Sequence, residues 1–361
     1  MIVCCACLAA SLPSRVDSIF SPLAAAHSPG LAVLVRKDGR TVLRRAYGVR
    51  DLRTFAKIDP HSNFRLASCT KQFTAMAIML LVHDKKLQYD TRLSDVFPAF
   101  PEYGRSITIR HLLTHTSGLP DYEDLMGDSW TVSRQIRDDE VLRLIEAAKP
   151  KFTAGSAWAY SNSGYVLLGL IVARTAGVPF AQFLRDRVFA PLGMNDTVAY
   201  VAGTNTVRHR AFGHIKQGAG FVESDQSSTS ATLGDGGIYS NLHDLANWGA
   251  ALDHHTLLSE DEMRAAFEPV RLADGSEPRW PENPGDDNLN PGKPVAYGFG
   301  WFLDAYHSRP RMWHFGSTMG FRTAIERFTR DKVTVIVLAN RTDLDPGQLA
   351  LQVADLILGA P

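Results

Sequence analysis

The sequence predicts a mixed α/β (α+β) fold, in which an antiparallel sheet of N- and C-terminal strands is flanked by helices and accompanied by a mostly helical subdomain. Two apolar, strand-like runs, residues 31–36 and 41–47, lie near the start of the chain, and a similar pair, residues 322–328 and 333–339, lies near its end. The long stretch between the two pairs has a mostly helical or irregular pattern. Strands from both ends of a chain are most simply joined in one sheet that helices cover.

Local signals define the elements at the two ends. Asp38-Gly39 separates the first two runs, and this dipeptide between apolar runs is a strong hairpin signal. A helix is predicted over residues 15–27, and an amphipathic helix over residues 346–358 closes the chain. Residues 278–294 contain five prolines and are predicted to be an irregular loop, either a lid near a site or a surface excursion.

These elements predict two parts and a leading segment. Residues 13–75 and 296–361 are expected to form the sheet domain, and residues 76–295 the mainly helical subdomain. A cleft between two such parts is the expected position of a small-molecule site. Residues 1–12 are apolar and end in small residues, which fits a truncated export signal and a frayed N-terminus equally well. An exported or periplasmic location and a cytoplasmic one are therefore both left open.

The composition excludes several classes of function. The 361 residues include 38 basic and 38 acidic side chains, so there is no basic field to bind nucleic acid. The longest apolar run, residues 75–82, is far shorter than the roughly 18 residues of a membrane span. Three of the four cysteines lie in the first seven residues and Cys69 stands alone, so no disulfide framework is expected. Whether the protein is a monomer or a homo-oligomer is left undetermined.

Residues 64–84 contain a serine and a lysine at helical spacing. A helix over residues 70–82 is apolar nearly all round and is expected to be buried. Ser68 lies at its N-terminal edge, and Lys71 follows three residues later on the same face. Burial disfavours the charged form and lowers the pKa of a lysine, so Lys71 could take a proton from a serine nucleophile. The alternative for an isolated S-x-x-K pattern is an N-cap serine and an exposed lysine.

A second pattern, W-A-Y-S-N at residues 158–162, precedes an apolar helix predicted over residues 165–175 and ended by Gly177. Tyr160, on the loop before that helix, could present its phenol to a site as an acid or a base. The alternative is a packing tyrosine with a hydrogen-bonded hydroxyl. Asn162 could orient a substrate carbonyl or form an Asx turn.

A third pattern, W-H-F-G-S-T-M-G-F at residues 313–321, directly precedes a predicted strand. Glycines such as Gly316 at a strand edge let a ligand approach the backbone closely. The backbone N–H of Ser317 could then pair with that of Ser68 as an oxyanion hole, with His314 as a polar wall. The alternative is a simple bulge before the strand.

In this order and spacing, the three patterns resemble the penicillin-recognising serine hydrolases. The branch that looks closest is the class C β-lactamase-like group, which includes family VIII carboxylesterases, D-aminopeptidases and D-Ala-D-Ala carboxypeptidases. The resemblance covers about residues 29–358 and implies a β-lactamase/transpeptidase-like fold. Its supporting stretches are ITIRHLLTHTSGLP (107–120), PLGMNDT (191–197), GGIYSNLHDLANW (236–248) and YGFGW (297–301).

The resemblance implies a serine hydrolase without metal or cofactor that acts on a small-molecule ester or amide. Ser68 would be the acylated nucleophile and Lys71 its general-base partner. Tyr160 would activate the serine together with Lys71, and then assist proton transfer to the leaving group and the hydrolytic water. The division of the base role between Lys71 and Tyr160 stays open. Asn162 completes the Tyr-x-Asn element of the family.

The third pattern departs from the family, because His314-Phe315-Gly316 stands where many members have Lys-Thr-Gly. A neutral histidine in place of a cation, and Phe315 in place of a hydroxyl, weaken recognition of a substrate carboxylate. We therefore predict a carboxylesterase for short-chain esters. The alternatives are a β-lactamase, D-aminopeptidase or D-Ala-D-Ala carboxypeptidase with the same machinery, a non-catalytic protein that binds cell-wall peptides, and a cysteine hydrolase that uses Cys69.

Two histidines have the spacing of a zinc-binding helix, but the pattern is incomplete. His111 and His115 are four residues apart, and Leu112 stands where the H-E-x-x-H motif has its catalytic glutamate. Both histidines are therefore predicted to be structural, and no metal site is expected.

Overall fold

The computed structural model describes residues 11–283 and 290–359. The strands of this part of the chain are β1 (Leu31–Lys37), β2 (Arg40–Tyr47), β3 (Val49–Asp51), β4 (Ala56–Lys57), β5 (Phe64–Arg65), β6 (Val198–Ala199), β7 (His214–Gln217), β8 (Gly220–Glu223), β9 (Ile238–Ser240), β10 (Phe302–Tyr306), β11 (Arg309–Thr318), β12 (Phe321–Phe328) and β13 (Val333–Ala339). The helices are α1 (Leu12–Phe20), α2 (Lys71–His83), α3 (Leu93–Val96), α4 (Ile109–Leu113), α5 (Tyr122–Leu125), α6 (Asp138–Ala147), α7 (Asn162–Ala176), α8 (Phe180–Leu184), α9 (Leu242–Asp253), α10 (Glu260–Phe267) and α11 (Pro346–Leu358).

The main sheet has six strands in the order β10-β11-β12-β13-β1-β2, and each neighbouring pair is antiparallel. The N-terminal strand β1 lies beside the C-terminal strand β13, with Leu31 opposite Ala339. The predicted sheet of N- and C-terminal strands is therefore confirmed. The sheet also contains β10 and β11, which the sequence patterns did not identify as strands.

The predicted hairpin between β1 and β2 is also confirmed. Lys37 pairs with Arg40 across a two-residue turn, in which Asp38 and Gly39 have φ angles of 49° and 76°. Two consecutive positive φ angles match the right-handed twist of the strands, and aspartate followed by glycine adopts them at low cost.

The central strands β1 and β13 of the main sheet are buried on both faces. Val33 and Val35 of β1 pack in a cluster with Val16 of α1 and Val353 of α11. Ala32 and Leu34, which point to the opposite face, belong to the large core that also contains α2 and α7. A strand that is covered on both sides needs a continuous apolar run, and this is why β1 and β13 stand out in the sequence.

Helices α2 and α7 pack against each other beneath the site described below. Both are buried over most of their length. Helix α7 begins at Asn162, three residues before the predicted start, because the Ser161 hydroxyl accepts a hydrogen bond from the Gly164 N–H and caps it. It ends at Ala176, and Gly177 caps it as expected.

Two other predicted boundaries are wrong. The first helix covers Leu12–Phe20 and a short 3₁₀ turn follows, because Ser11 caps the helix one turn earlier than expected and Pro22 interrupts it after Phe20. The helix predicted over residues 70–82 begins at Lys71, after a 3₁₀ turn over Ala67–Thr70. The third sequence pattern directly precedes strand β12, as predicted, but most of it lies in a strand that was not predicted, β11.

Other predictions concern regions outside these elements. No helix or strand occurs in the described parts of residues 278–294, which agrees with the predicted loop. The segment 1–12 falls almost entirely outside the described residues, and the domain division at residues 75/76 and 295/296 stays a prediction. Over the described ranges, no single helix is long and apolar enough to cross a membrane. Only the pair Asn162–Ala176 and Phe180–Phe189 passes that test, and it is bent by 78°.

Candidate active site

Ser68 lies on a sharp turn between strand β5 and helix α2. The residue before it, Ala67, has a φ of 47°, which is rare for a residue with a side chain. The Thr323 hydroxyl of β12 donates a hydrogen bond of 2.9 Å to the Leu66 carbonyl and so ties this turn to the main sheet. Strained backbone beside a reactive group persists only where surrounding structure holds it, and here the sheet does so.

Gly316 of β11 lets the sheet approach this turn. A Cβ atom at that position would lie 2.1 Å from the Leu66 carbonyl oxygen and 2.4 Å from the Thr323 hydroxyl oxygen. The contact places the β11 strand end, including Ser317, beside the Ser68 turn. Only glycine is compatible with this separation of the two backbones.

Replacing Gly316 by alanine is therefore expected to lower the free energy of unfolding by about 1–3 kcal/mol, since the overpacked turn has to move. Displacement of the turn by about 1 Å is expected to slow any reaction at Ser68 by up to about 100-fold. Urea unfolding and initial rates measure the two effects. Gly220→Ala is the matched control, because a Cβ atom there meets nothing within 4 Å. Equal behaviour of the two variants would show that the close approach is unimportant.

The Lys71 side chain is fully buried and lies beside Ser68. Its Nζ atom is 3.0 Å from Ser68 Oγ, 2.8 Å from Asn162 Oδ1 and 3.1 Å from the Asp235 carbonyl oxygen. The alternative of an exposed lysine is therefore wrong. Ser68 is not the N-cap of α2 either, because Thr70 occupies that position.

These three neighbours determine how the lysine can act. A neutral amine has two N–H bonds and one lone pair. Asn162 Oδ1 and the Asp235 carbonyl oxygen can only accept, so they take the two N–H bonds of the neutral amine and leave its lone pair for the Ser68 hydroxyl. In this form the amine is placed to receive the serine proton.

Tyr160 lies on the other side of the lysine. The centroid of its half-buried ring is 4.8 Å from Lys71 Nζ. The ring also packs against His115, with 4.4 Å between the centroids. The structure thus brings together Ser68, Lys71 and Tyr160, which are up to 92 residues apart in the sequence (160 − 68).

Asn162, at the first turn of α7, orients the lysine. Its side-chain oxygen accepts from Lys71, and its backbone N–H donates to Asp121 Oδ2 over 2.7 Å. The sequence analysis considered substrate binding and an Asx turn as roles of Asn162. The contact with Lys71 indicates a third role.

His314 is fully buried behind the site rather than exposed as a wall. Its Nδ1 lies 2.6 Å from the Phe315 carbonyl oxygen, to which it donates, and its Nε2 lies 3.1 Å from the Tyr297 hydroxyl, from which it accepts. Burial, and to a smaller extent the charge of a protonated Lys71, lower the pKa of His314 to about 3. The imidazole is therefore neutral at physiological pH, and both of its nitrogens have partners within the protein.

Ser317 and Phe315 point to the other face of β11. Ser317 is exposed at the strand end, opposite Arg322 of β12, and Phe315 is half-buried. The oxyanion-hole role of the Ser317 N–H stays a prediction.

Cys69 is buried and is not placed as a nucleophile. Its sulfur contacts the His314 carbonyl oxygen at 3.4 Å and the Thr323 hydroxyl at 3.6 Å. Burial raises the pKa of the thiol to about 12, so the thiolate is scarce at neutral pH.

The sequence analysis missed or misjudged three residues around the site. Asp235 binds Lys71 through its carbonyl, Tyr297 binds His314, and His115 packs on Tyr160. All three lie in or next to the stretches that carried the resemblance to the family. Their position in these stretches was the signal that could have identified them as residues of the site. Among residues 11–283 and 290–359, no group of three or more His, Cys, Asp or Glu side chains could hold a metal ion.

Comparison with known proteins gives one family. A family model described as Beta-lactamase matches residues 16–358. Penicillin-binding protein 4* of Bacillus subtilis is 30% identical over 359 residues, which cover 95% of this chain and 75% of that protein. Protein flp of Staphylococcus aureus is 27% identical over 331 residues, which cover 90% of this chain but only 62% of that protein.

Solved structures agree on the fold. The octameric penicillin-binding protein homologue from Pyrococcus abyssi superposes with a TM-score of 0.77 at 26% identity, covering 96% of this chain and 77% of that one. The D-amino acid amidase from Ochrobactrum anthropi SV3 superposes with a TM-score of 0.79 at 24% identity, covering 97% and 99%. At that identity the second likeness concerns the fold alone.

Proposed function

Since this chain belongs to the Beta-lactamase family, we propose that it is a serine hydrolase that forms an acyl-enzyme at Ser68 with short-chain carboxylic esters. The observation that carries the proposal is the buried Lys71 amine, 3.0 Å from Ser68 Oγ and held by two further acceptors. A buried amine costs free energy unless its hydrogen bonds are made, and these bonds direct it at the serine hydroxyl.

The reaction begins with proton transfer from Ser68 to neutral Lys71, while the serine oxygen attacks the ester carbonyl. The N–H groups of Ser68 and Ser317 stabilise the oxyanion of the tetrahedral intermediate. The proton then passes through Lys71 and Tyr160 to the departing alkoxide, which leaves as an alcohol. In the second half a water molecule loses a proton to the same groups, attacks the acyl-enzyme and releases the carboxylic acid, and the proton returns to Ser68 Oγ.

The neutral state of His314 is an argument that Lys71, and not Tyr160, accepts the serine proton. Neighbouring cations would stabilise a phenolate on Tyr160, and neutral His314 does not supply the cation that a lysine at this position would supply. Lys71 is therefore the proposed base, and Tyr160 a relay between it and the leaving group.

The neutral state of His314 is also an argument that the protein prefers esters to substrates that carry a carboxylate. At this position a lysine would bind a substrate carboxylate as a fixed cation. Neutral His314 has both nitrogens engaged, and the side chain of Phe315 offers no hydroxyl. Penicillins and peptides with a free C-terminus therefore lose two favourable contacts.

Hydrolysis of amides or peptides by the same machinery is the second candidate, and the observation that favours it is the 30% identity with a penicillin-binding protein. A silent binding protein is less consistent with a lysine buried beside Ser68, because such a protein has no use for that costly arrangement.

A substrate comparison tests the proposal. With purified protein, p-nitrophenyl butyrate is expected to give a kcat/KM at least about tenfold above those of nitrocefin and a D-Ala-D-Ala peptide, because both carry a carboxylate and one lost charged hydrogen bond costs about that factor. A D-amino acid amide, which has no carboxylate, is the fourth compound and tests amide hydrolysis as such. Faster turnover of nitrocefin or of the peptide would overturn the preference for esters. Absence of turnover of all four compounds, together with absence of any acylated Ser68, would favour the binding protein.

Phe315→Thr is the matched variant for this comparison. It restores a hydroxyl at the third pattern without touching Ser68, Lys71 or Tyr160. The variant is expected to reduce the ratio of kcat/KM for the ester to kcat/KM for nitrocefin. Phe55→Thr is the control, at an exposed aromatic residue of the β3–β4 connection, and it should leave this kcat/KM ratio unchanged.

A further inference from the structure

His115 lies in the turn after helix α4 and is fully buried. Its backbone has a φ of 61°, in the left-handed region that residues other than glycine and asparagine seldom adopt. The sequence identified it only as half of a failed zinc motif. Its contacts are unusual, because three of them fall on three consecutive residues of the loop that carries Tyr160.

The contacts enclose Tyr160 from both sides. The Ala159 N–H donates to the His115 carbonyl oxygen over 3.0 Å, and the Ser161 N–H donates to His115 Nδ1 over 3.1 Å. Between these two bonds, the imidazole ring packs on the Tyr160 ring at 4.4 Å between centroids. The backbone before and after the tyrosine is thus held by one residue, and the same residue supports the face of the phenol ring.

We propose that His115 is the positioning residue that holds the Tyr160 phenol against the Lys71 amine. This inference rests on the proposed function, in which Tyr160 relays the proton. A loop can present a side chain precisely only if its backbone is fixed, and a misplacement of about 1 Å can cost about 100-fold in rate.

The protonation state of His115 fits this role. Because Nδ1 accepts the Ser161 N–H, the ring must be neutral there, with its hydrogen on Nε2. Burial lowers the pKa of His115 well below its usual value, and the nearby Lys71 amine lowers it further whenever it is protonated. Tyr165 and Tyr297 also pack on this ring, at 5.2 and 4.6 Å between centroids, and the Trp158 indole lies at 5.7 Å. Together with Tyr160, three phenols and an indole therefore contact the His115 ring, and Lys71 and neutral His314 lie nearby.

Two variants of His115 distinguish a role in positioning the Tyr160 loop from a role in filling the core. His115→Phe keeps an aromatic ring of similar size but has no acceptor for the Ser161 N–H. His115→Asn loses the ring, but its Oδ1 can occupy the position of Nδ1, and asparagine tolerates a positive φ. If His115 only fills the core, the phenylalanine variant should keep more of the wild-type kcat. If His115 positions the loop, the asparagine variant should keep more of it.

The measurements are the melting temperature, kcat and KM with p-nitrophenyl butyrate, and the labelling rate of Ser68 by a fluorophosphonate. His115→Phe is expected to lower kcat by about 100-fold and to change KM less than about threefold, with about tenfold of kcat recovered in His115→Asn. His111→Asn is the control, because His111 makes the same kind of bond to a backbone N–H, that of Thr108, away from Tyr160. Equal losses in both His115 variants, or none, would overturn the proposal.

A double-mutant cycle with Tyr160→Phe keeps the test decisive even if one variant folds poorly. A residue that acts through Tyr160 should have an effect within about twofold once the phenol is gone. Full additivity of His115→Asn and Tyr160→Phe would reject the inference. If Tyr160→Phe itself keeps full ester turnover, the proposed role of Tyr160 fails instead, and the two failures are thereby distinguished.

Discussion

Ser68→Ala is expected to abolish ester hydrolysis, with a loss of about 10⁴-fold or more in kcat and no labelling by fluorophosphonates. The Ser68 oxygen is the atom that bonds to the substrate, and it lies 3.0 Å from the Lys71 amine that is proposed to take its proton. The fold should survive, because Ser68 is half-buried and its hydroxyl does not cap α2. Initial rates and mass spectrometry of the labelled peptide measure both outcomes.

Cys69→Ala is the control for this variant. Its thiol has a pKa of about 12 and lies in the core, so turnover should stay within about threefold of the wild type after any loss of stability is taken into account. The reverse result, with activity kept in Ser68→Ala and lost in Cys69→Ala, would identify a cysteine hydrolase. An adduct on any residue other than Ser68 would equally contradict the assignment.

Lys71→Met is expected to reduce kcat by about 10³-fold, which is within the range for loss of a general base. Methionine fills a similar volume but cannot accept the serine proton, and it leaves Asn162 Oδ1 and the Asp235 carbonyl without their donor. The variant should therefore also be less stable, by about 1–3 kcal/mol for the unsatisfied acceptors. Rates at saturating ester and urea unfolding separate the two effects.

Lys71→Arg decides whether the amine acts as a base or only as a cation. A guanidinium stays protonated at every accessible pH, so it keeps the charge but cannot take a proton. Activity as low as that of Lys71→Met is the expected result. Retention of more than about a tenth of the wild-type kcat would show that charge alone suffices and would assign the base role elsewhere, since a lost general base costs at least about 100-fold. Lys86→Met, at an exposed lysine just beyond α2, is the control for removal of a lysine as such.

Local sequence patterns predicted much of the fold because their physical causes are local. The boundaries of β13 and α11 agree with the prediction, since the first is a continuous apolar run and the second begins with an Asp345 cap followed by Pro346. The first helix and the start of α2 were wrong because caps and 3₁₀ turns depend on one or two residues. Strand β11 was missed because its apolar residues alternate with basic and polar ones such as Arg311 and Ser317.

By itself, the sequence determined which side chains could carry the chemistry, because the spacing of Ser68 and Lys71 needs only one helical turn to bring them together. Only the tertiary structure decided what surrounds them. The lysine is held by Asn162 and by the Asp235 carbonyl, 91 and 164 residues away, and Tyr160 is enclosed by His115, 45 residues earlier (160 − 115). Hydrogen bonds and burial at such separations arise from packing of whole elements, and no local pattern records them.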